Sequence, residues 1–144
     1  GLCGEGGEKR RGAGGEWGAA PGGPRGVGGF DIPASRYGVL VQGADELALT
    51  KLDVLSYLER IPVCVKYEVN GEGTELFPSG DALMKAKPVY EYLTGWQADI
   101  SKCRRPEDLP DAAAKYIRFI EAAVGCPVRY VSVGAGRDDY FMMG

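Results

Sequence analysis

Thirteen of the chain's 23 glycines fall within its first 29 residues, and that concentration decides where a core can form. Glycine loses more backbone freedom on folding than any other residue. Residues 1–29 carry almost no aliphatic side chains whose burial would offset that loss. Residues 1–29 therefore read as a Gly-rich, mobile arm, and residues 30–144 as the domain that holds the core. The whole chain has 144 residues, 44% hydrophobic and 26% charged, the balance of a soluble globular protein. Its net charge of −3 gives no basic field for nucleic acid. No apolar run approaches the ~18–20 residues of a membrane helix. Cys3, Cys64, Cys103 and Cys126 are widely spaced without a C-x-x-C pair, and histidine is absent. That pattern argues against a metal site and against a disulfide framework, and it points to a reducing, cytoplasmic setting. The missing histidine also removes the commonest general base. The first residues have neither an initiator methionine nor a signal-like apolar stretch, so the chain reads as a fragment or a processed piece.

The domain region is well patterned. Residues 31–42 suit a helix with Pro33 in its first turn and Ile32, Tyr37, Leu40 and Val41 on one face. Leu47 to Thr50 is a short buried strand, and Val54 to Arg60 a turn or short helix. Pro62 to Val69 alternates with Val63, Val65, Tyr67 and Val69 inward, a half-buried strand. Asn70-Gly71 is a hairpin signal, with Thr74 to Phe77 as the returning strand. Asp81 to Lys87 is a short helix stopped by Pro88. The aromatic-rich stretch from Val89 to Trp96 packs against the domain. Pro110 to Val124 is the clearest helix, with Ala113, Tyr116, Ile117, Ile120, Ala123 and Val124 as its apolar stripe and Gly125 as its terminator. Val128 to Val133 is a final strand. The order predicts an α/β fold with a mixed sheet.

Three stretches can carry chemistry. Thr50-Lys51-Leu52-Asp53 follows a strand, and ligands of open α/β sheets sit beyond the carboxyl ends of strands. An aspartate there can accept from the N1–H and N2–H edge of guanine, which adenine does not offer. Each such charge-assisted bond contributes ~1.5–3 kcal/mol. The stem of Lys51 can lie along the base while its ammonium stays wet. The tetrapeptide is similar to the N-K-x-D element of GTP-binding proteins, with threonine replacing asparagine; by itself, such a segment is more often a solvated turn. Ser132-Val133-Gly134 ends the last strand, where exposed amides can meet a carbonyl such as guanine O6; the plainer alternative is a simple strand exit. Gly22-Gly23-Pro24-Arg25-Gly26 is either a loop whose arginine clamps a phosphate or a tail with an incidental charge.

Together with their flanks, these stretches resemble the C-terminal part of the adenylosuccinate synthetase family. The resemblance is carried by GAGGEWGA, GFDIPASRYGV, ELALTKLDVL, VCVKYEV, AKPVYEYLTGW, DLPDAAAKYIRFIE and PVRYVSVGAGRDD, in the family's order, from Gly12 to Asp139. It implies the C-terminal portion of a P-loop-like mixed sheet with flanking helices and an antiparallel hairpin. It further implies a ligase of AMP biosynthesis that joins IMP and L-aspartate with GTP and Mg²⁺, giving adenylosuccinate, GDP and phosphate. In the family's pattern Lys51, Leu52 and Asp53 read guanine, and Ser132, Val133 and Gly134 form a second guanine contact. Ala19, Ala20, Pro21, Gly22, Gly23, Pro24 and Arg25 match a loop that closes over IMP and aspartate, with Arg25 reaching GTP. The intact family enzyme is expected to be a homodimer.

The same resemblance exposes departures. The family's loop reads A-T-T-G-R-P-R-R-x-G-W. Here Ala20 and Pro21 stand for the threonines, Gly23 for a substrate-binding arginine, and Gly29 for the tryptophan. Losing a buried charge-assisted contact of this kind costs about 2–5 kcal/mol. The family's phosphate-binding Q-W-G-D-E-G-K-G segment, with which the magnesium site is associated, and the catalytic aspartate and histidine have no counterpart here. The resemblance thus implies no catalytic residue in this chain and no synthetase activity for the chain by itself. A non-catalytic guanine-nucleotide-binding or structural module of the same ancestry is the alternative.

Overall fold

A computed structural model of the chain describes residues 29–143. The Gly-rich arm lies outside the described residues, apart from Gly29. Two sheets share one core. The first contains β1 (Phe30–Asp31), β3 (Arg60–Val69), β4 (Glu72–Thr74) and β5 (Lys87–Thr94). β3 is its spine, with β1 parallel to it and both β4 and β5 antiparallel. The second is smaller. β2 (Leu47–Leu49) runs parallel to β6 (Val128–Ser132), which pairs antiparallel with β7 (Tyr140–Met142). The mixed α/β class expected from the element order is what forms.

The helices are α1 (Ile32–Gln42), α2 (Asp81–Lys85) and α3 (Asp111–Val124). α3 forms as expected: Ala113, Tyr116, Ile117, Ile120 and Val124 are buried, and Gly125 ends it with φ +80°. These side chains share one core with Leu47, Leu49, Val128 and Val131 of the small sheet, with Val133 just beyond it, and with Ile61 and Val63 of the large one. Trp96 adds an edge-on contact to the Tyr116 ring at 5.8 Å.

α1 starts as the sequence predicts but buries a different face. Asp31 caps it, its carboxylate accepting from the Ala34 amide at 2.9 Å. The buried residues are Ile32, Pro33, Ala34, Ser35 and Gly38, whereas Tyr37, Leu40 and Val41 are exposed. The reason is steric: Ala34, Ser35 and Gly38 let the helix backbone approach β3 closely, so the small side chains face inward. Gly29 lies as close. A Cβ there would fall 2.3 Å from the Pro62 carbonyl oxygen, so the backbone in this position leaves no room for the tryptophan of the family's pattern.

The hairpin prediction is half right. Asn70 (φ +54°) and Gly71 (φ +84°) do make the turn, but the returning strand is only Glu72–Thr74, and Glu75 to Phe77 leave the sheet. The long partner of β3 is β5, paired from Lys87 to Thr94. The stretch expected merely to pack against the domain is thus the longer of the two antiparallel partners of β3. A β-bulge between Cys64 and Lys66 breaks the inward alternation read from Val63 to Val69, so Cys64 is buried as well.

Asp31, Tyr67 and Cys64 form a buried polar cluster where β1, α1 and β3 meet. The Tyr67 hydroxyl donates to the Asp31 carboxylate. Burial pushes the Asp31 carboxyl above its ordinary value, against the hydrogen bonds from Tyr67 and Ala34, which pull it down. Burial, helped by the facing Asp31 charge, pushes the Cys64 thiol up to about 12.

Candidate functional site

The parallel pairing of β2 and β6 creates the site. Their register, with Leu49 opposite Val131, ends both strands side by side. The segments that follow are Thr50-Lys51-Leu52-Asp53 on one strand and Ser132-Val133-Gly134 on the other. Two stretches about eighty residues apart in sequence are thereby neighbours beyond the carboxyl ends of a parallel pair, where α/β sheets hold ligands.

The first segment turns sharply. Lys51 adopts left-handed geometry (φ 57°, ψ 44°) and opens a 3₁₀ turn from Leu52 to Leu55. A lysine in that region is strained, and such strain persists where the surroundings enforce it. Leu52 is the anchor, 2% exposed and part of the core. Lys51 itself is exposed. The Asp53 backbone carbonyl accepts from Ser56 at 3.0 Å. The Asp53 Oδ1 atom is buried and has no hydrogen-bond partner among the described residues. Buried polar atoms in native proteins nearly always have partners; Ser35 Oγ in α1 is the other such atom among the described residues.

The second segment is held from behind. Val133 is fully buried, and its amide donates to the Asp139 carbonyl at 2.8 Å. The Ser132 hydroxyl donates to the Gly134 carbonyl at 3.2 Å. The strand ends at Ser132, one residue earlier than the sequence predicts, although the Val133–Asp139 bond continues the register of its pairing with β7.

Lys51, Leu52 and Asp53 therefore follow the end of β2, and Ser132, Val133 and Gly134 stand at the end of the adjacent β6. Arg25 and the loop residues Ala19, Ala20, Pro21, Gly22, Gly23 and Pro24 lie outside the described residues. Sequence reasoning missed Asp139 and Arg104, which bond to each other at 3.0 Å beside the second segment. The only signal for Asp139 was the glycine pair at 134 and 136, which needs a reason to lack side chains. Among the described residues no group of three or more His, Cys, Asp or Glu side chains could hold a metal ion. These residues do not supply the magnesium site that the resemblance implies. Among the same residues no helix is long and apolar enough to cross a membrane.

Fold and candidate site define an α/β protein in which two loops leave the ends of adjacent parallel strands side by side. The chain matches the adenylosuccinate synthetase family over residues 2–141. It belongs to that family. It is 46% identical over 139 residues to adenylosuccinate synthetase from Cutibacterium acnes, covering 96% of this chain and 32% of that protein. It is 48% identical over 126 residues to adenylosuccinate synthetase from Synechococcus sp. (strain WH7803), covering 87% of this chain and 29% of that protein. A solved structure titled as fully ligated adenylosuccinate synthetase from Plasmodium falciparum superposes with a TM-score of 0.76 at 36% identity, covering 81% of this chain and 29% of that one. The chain thus spans about a third of the length of these relatives.

Proposed function

We propose that this chain is the guanine-recognising portion of a ligase that joins IMP and L-aspartate at the expense of GTP. Asp53 accepts from N1–H and N2–H of guanine. The stem of Lys51 covers one face of the base, and backbone amides of the 132–134 segment face O6. Phosphorylation of the IMP 6-oxygen by GTP turns a poor leaving group into a good one, and the aspartate amine then displaces it. The described residues serve only the first requirement of that sequence, which is to select and hold the correct nucleotide. Arg25 is assigned to GTP, and Ala19 to Arg25 to the loop over IMP and aspartate. Glycine at position 23 and the loss of both threonines weaken that loop. Magnesium and the phosphate cradle belong to parts of the enzyme with no counterpart here, so the chain by itself does not turn over substrate. The whole enzyme is assigned to the cytoplasm as a homodimer.

The observation that carries this reading is the orphan Asp53 Oδ1, buried next to the end of a second parallel strand. Membership of the family supports it independently. Titration with GTP and ATP tests it. The chain should prefer GTP, and Asp53→Asn should cut that preference sharply, because the amide replaces one acceptor with a donor. Equal affinity for the two nucleotides in the unsubstituted chain would rule the reading out.

A further inference from the structure

The loop after β6 contains its own strut. Asp139 Oδ2 accepts from the Gly136 amide at 2.9 Å. The Asp139 amide donates to the Gly136 carbonyl at 3.1 Å, and its carbonyl accepts from Val133 at 2.8 Å. The same carboxylate occupies the space over both glycines. A Cβ added at Gly134 would lie 2.6 Å from Asp139 Oδ2, and one at Gly136 would lie 2.7 Å from it.

The other carboxylate oxygen accepts from the Arg104 guanidinium at 3.0 Å. Arg104 is tied down in turn. It donates to the Ser101 carbonyl at 2.8 Å and to the Cys103 carbonyl at 2.7 Å, and its amide donates to Asp108 Oδ2 at 3.1 Å. Cys103 belongs to the core. A continuous line of bonds therefore runs from a core-anchored loop, through one ion pair, to the backbone of residues 134–136. Half-exposed ion pairs contribute little to stability. The glycines at 134 and 136 make the loop costly to order. Among the described residues the Gly134 amide has no acceptor.

We propose that Asp139 and Arg104 are positioning residues that hold the 134–136 backbone still, so that its free amide meets the 6-oxygen of a 6-oxopurine and rejects a 6-aminopurine. The inference rests on the guanine reading above and deepens it. A fixed donor faces an oxygen favourably and an amine unfavourably, whereas a loop free to turn aside would not discriminate. Ordering the loop before the nucleotide arrives also removes an entropy loss from binding.

The test uses inosine triphosphate, which keeps the 6-oxygen and lacks the 2-amine that Asp53 reads. The chain is titrated with GTP, ITP and ATP, unsubstituted and as Asp139→Asn, Asp139→Ala, Arg104→Met and Asp53→Asn. Asp139→Ala and Arg104→Met should weaken GTP and ITP together, by about ten-fold, with the GTP:ITP ratio kept and ATP unmoved. Asp53→Asn should instead collapse the GTP:ITP ratio. Equal weakening of all three nucleotides by the Asp139 and Arg104 variants would show a general structural role and overturn the proposal. So would unchanged GTP and ITP affinity in those variants while Asp53→Asn still cuts the preference. No preference of the unsubstituted chain for GTP and ITP over ATP would overturn the guanine reading itself. Hydrogen exchange of the Gly136 amide in the ligand-free chain is independent of nucleotide. It should quicken in Asp139→Ala, and unchanged exchange would also overturn the proposal.

Discussion

Two aspartates, each beside a short strand that pairs in parallel, occupy opposite situations in this molecule. Asp31 is 3% exposed and fully used: one carboxylate oxygen caps α1 through Ala34, and the other accepts from Tyr67. Asp53 is less buried as a residue, yet one of its oxygens is sealed from solvent with no partner among the described residues. Both carboxylates give up water. Only the first is compensated by groups among the described residues. A satisfied buried carboxylate reads as architecture, and an orphaned one at a strand end reads as a binding position.

Three substitutions press on that contrast. Asp31→Ala removes a helix cap and leaves the buried Tyr67 hydroxyl unpaired. It should lower stability by about 2–4 kcal/mol, measured by urea unfolding; a loss under ~1 kcal/mol would place Asp31 outside the architecture. A smaller effect is expected of Asp31→Asn, which keeps an acceptor for Ala34, and it should depend on pH. The Asp31 carboxyl is raised above its ordinary value of 3.8 in the folded chain. The folded state therefore holds that proton more tightly than the unfolded state. The contribution of this group is fully present below pH 3.8 and is lost as pH rises through the raised folded value. Comparing unfolding of the Asn variant and the unsubstituted chain from pH 4 toward 7 should show the variant gaining ground steadily. A flat difference would mean that the hydrogen bonds to Asp31 cancel its burial. The smallest stability effect belongs to Asp53→Asn, expected within about 0.5 kcal/mol, although the same change is expected to cut the preference for GTP. A large loss of stability there would make Asp53 a second architectural carboxylate and dissolve the contrast.

Much of this was legible in the chain. The helix at 111–124 was visible because its period matches a buried stripe and both ends carry stop signals, Pro110 and Gly125. The start of α1 was readable from Pro33 in its first turn, but the sequence placed Asp31 inside the helix rather than as its cap. The inward face of α1 was misread, since Tyr37 and Leu40 are more apolar than Ala34, Ser35 and Gly38, yet close approach to β3 favours the small side chains. β5 was missed as a strand because its partners lie 19 to 34 residues upstream in β3 and no local pattern reports that pairing.

The site divides in the same way. Lys51, Asp53, Ser132 and Gly134 could be named as chemistry-bearing residues because their types and their positions after strands are local facts. That β2 and β6 are adjacent and parallel, that Asp53 Oδ1 is left unpaired, and that Arg104 braces Asp139 from thirty-five residues away were decided by the tertiary structure alone. The physical reason is that hydrogen-bond satisfaction and steric room depend on which distant groups arrive at a point. Periodicity, capping and turn chemistry depend only on neighbours along the chain.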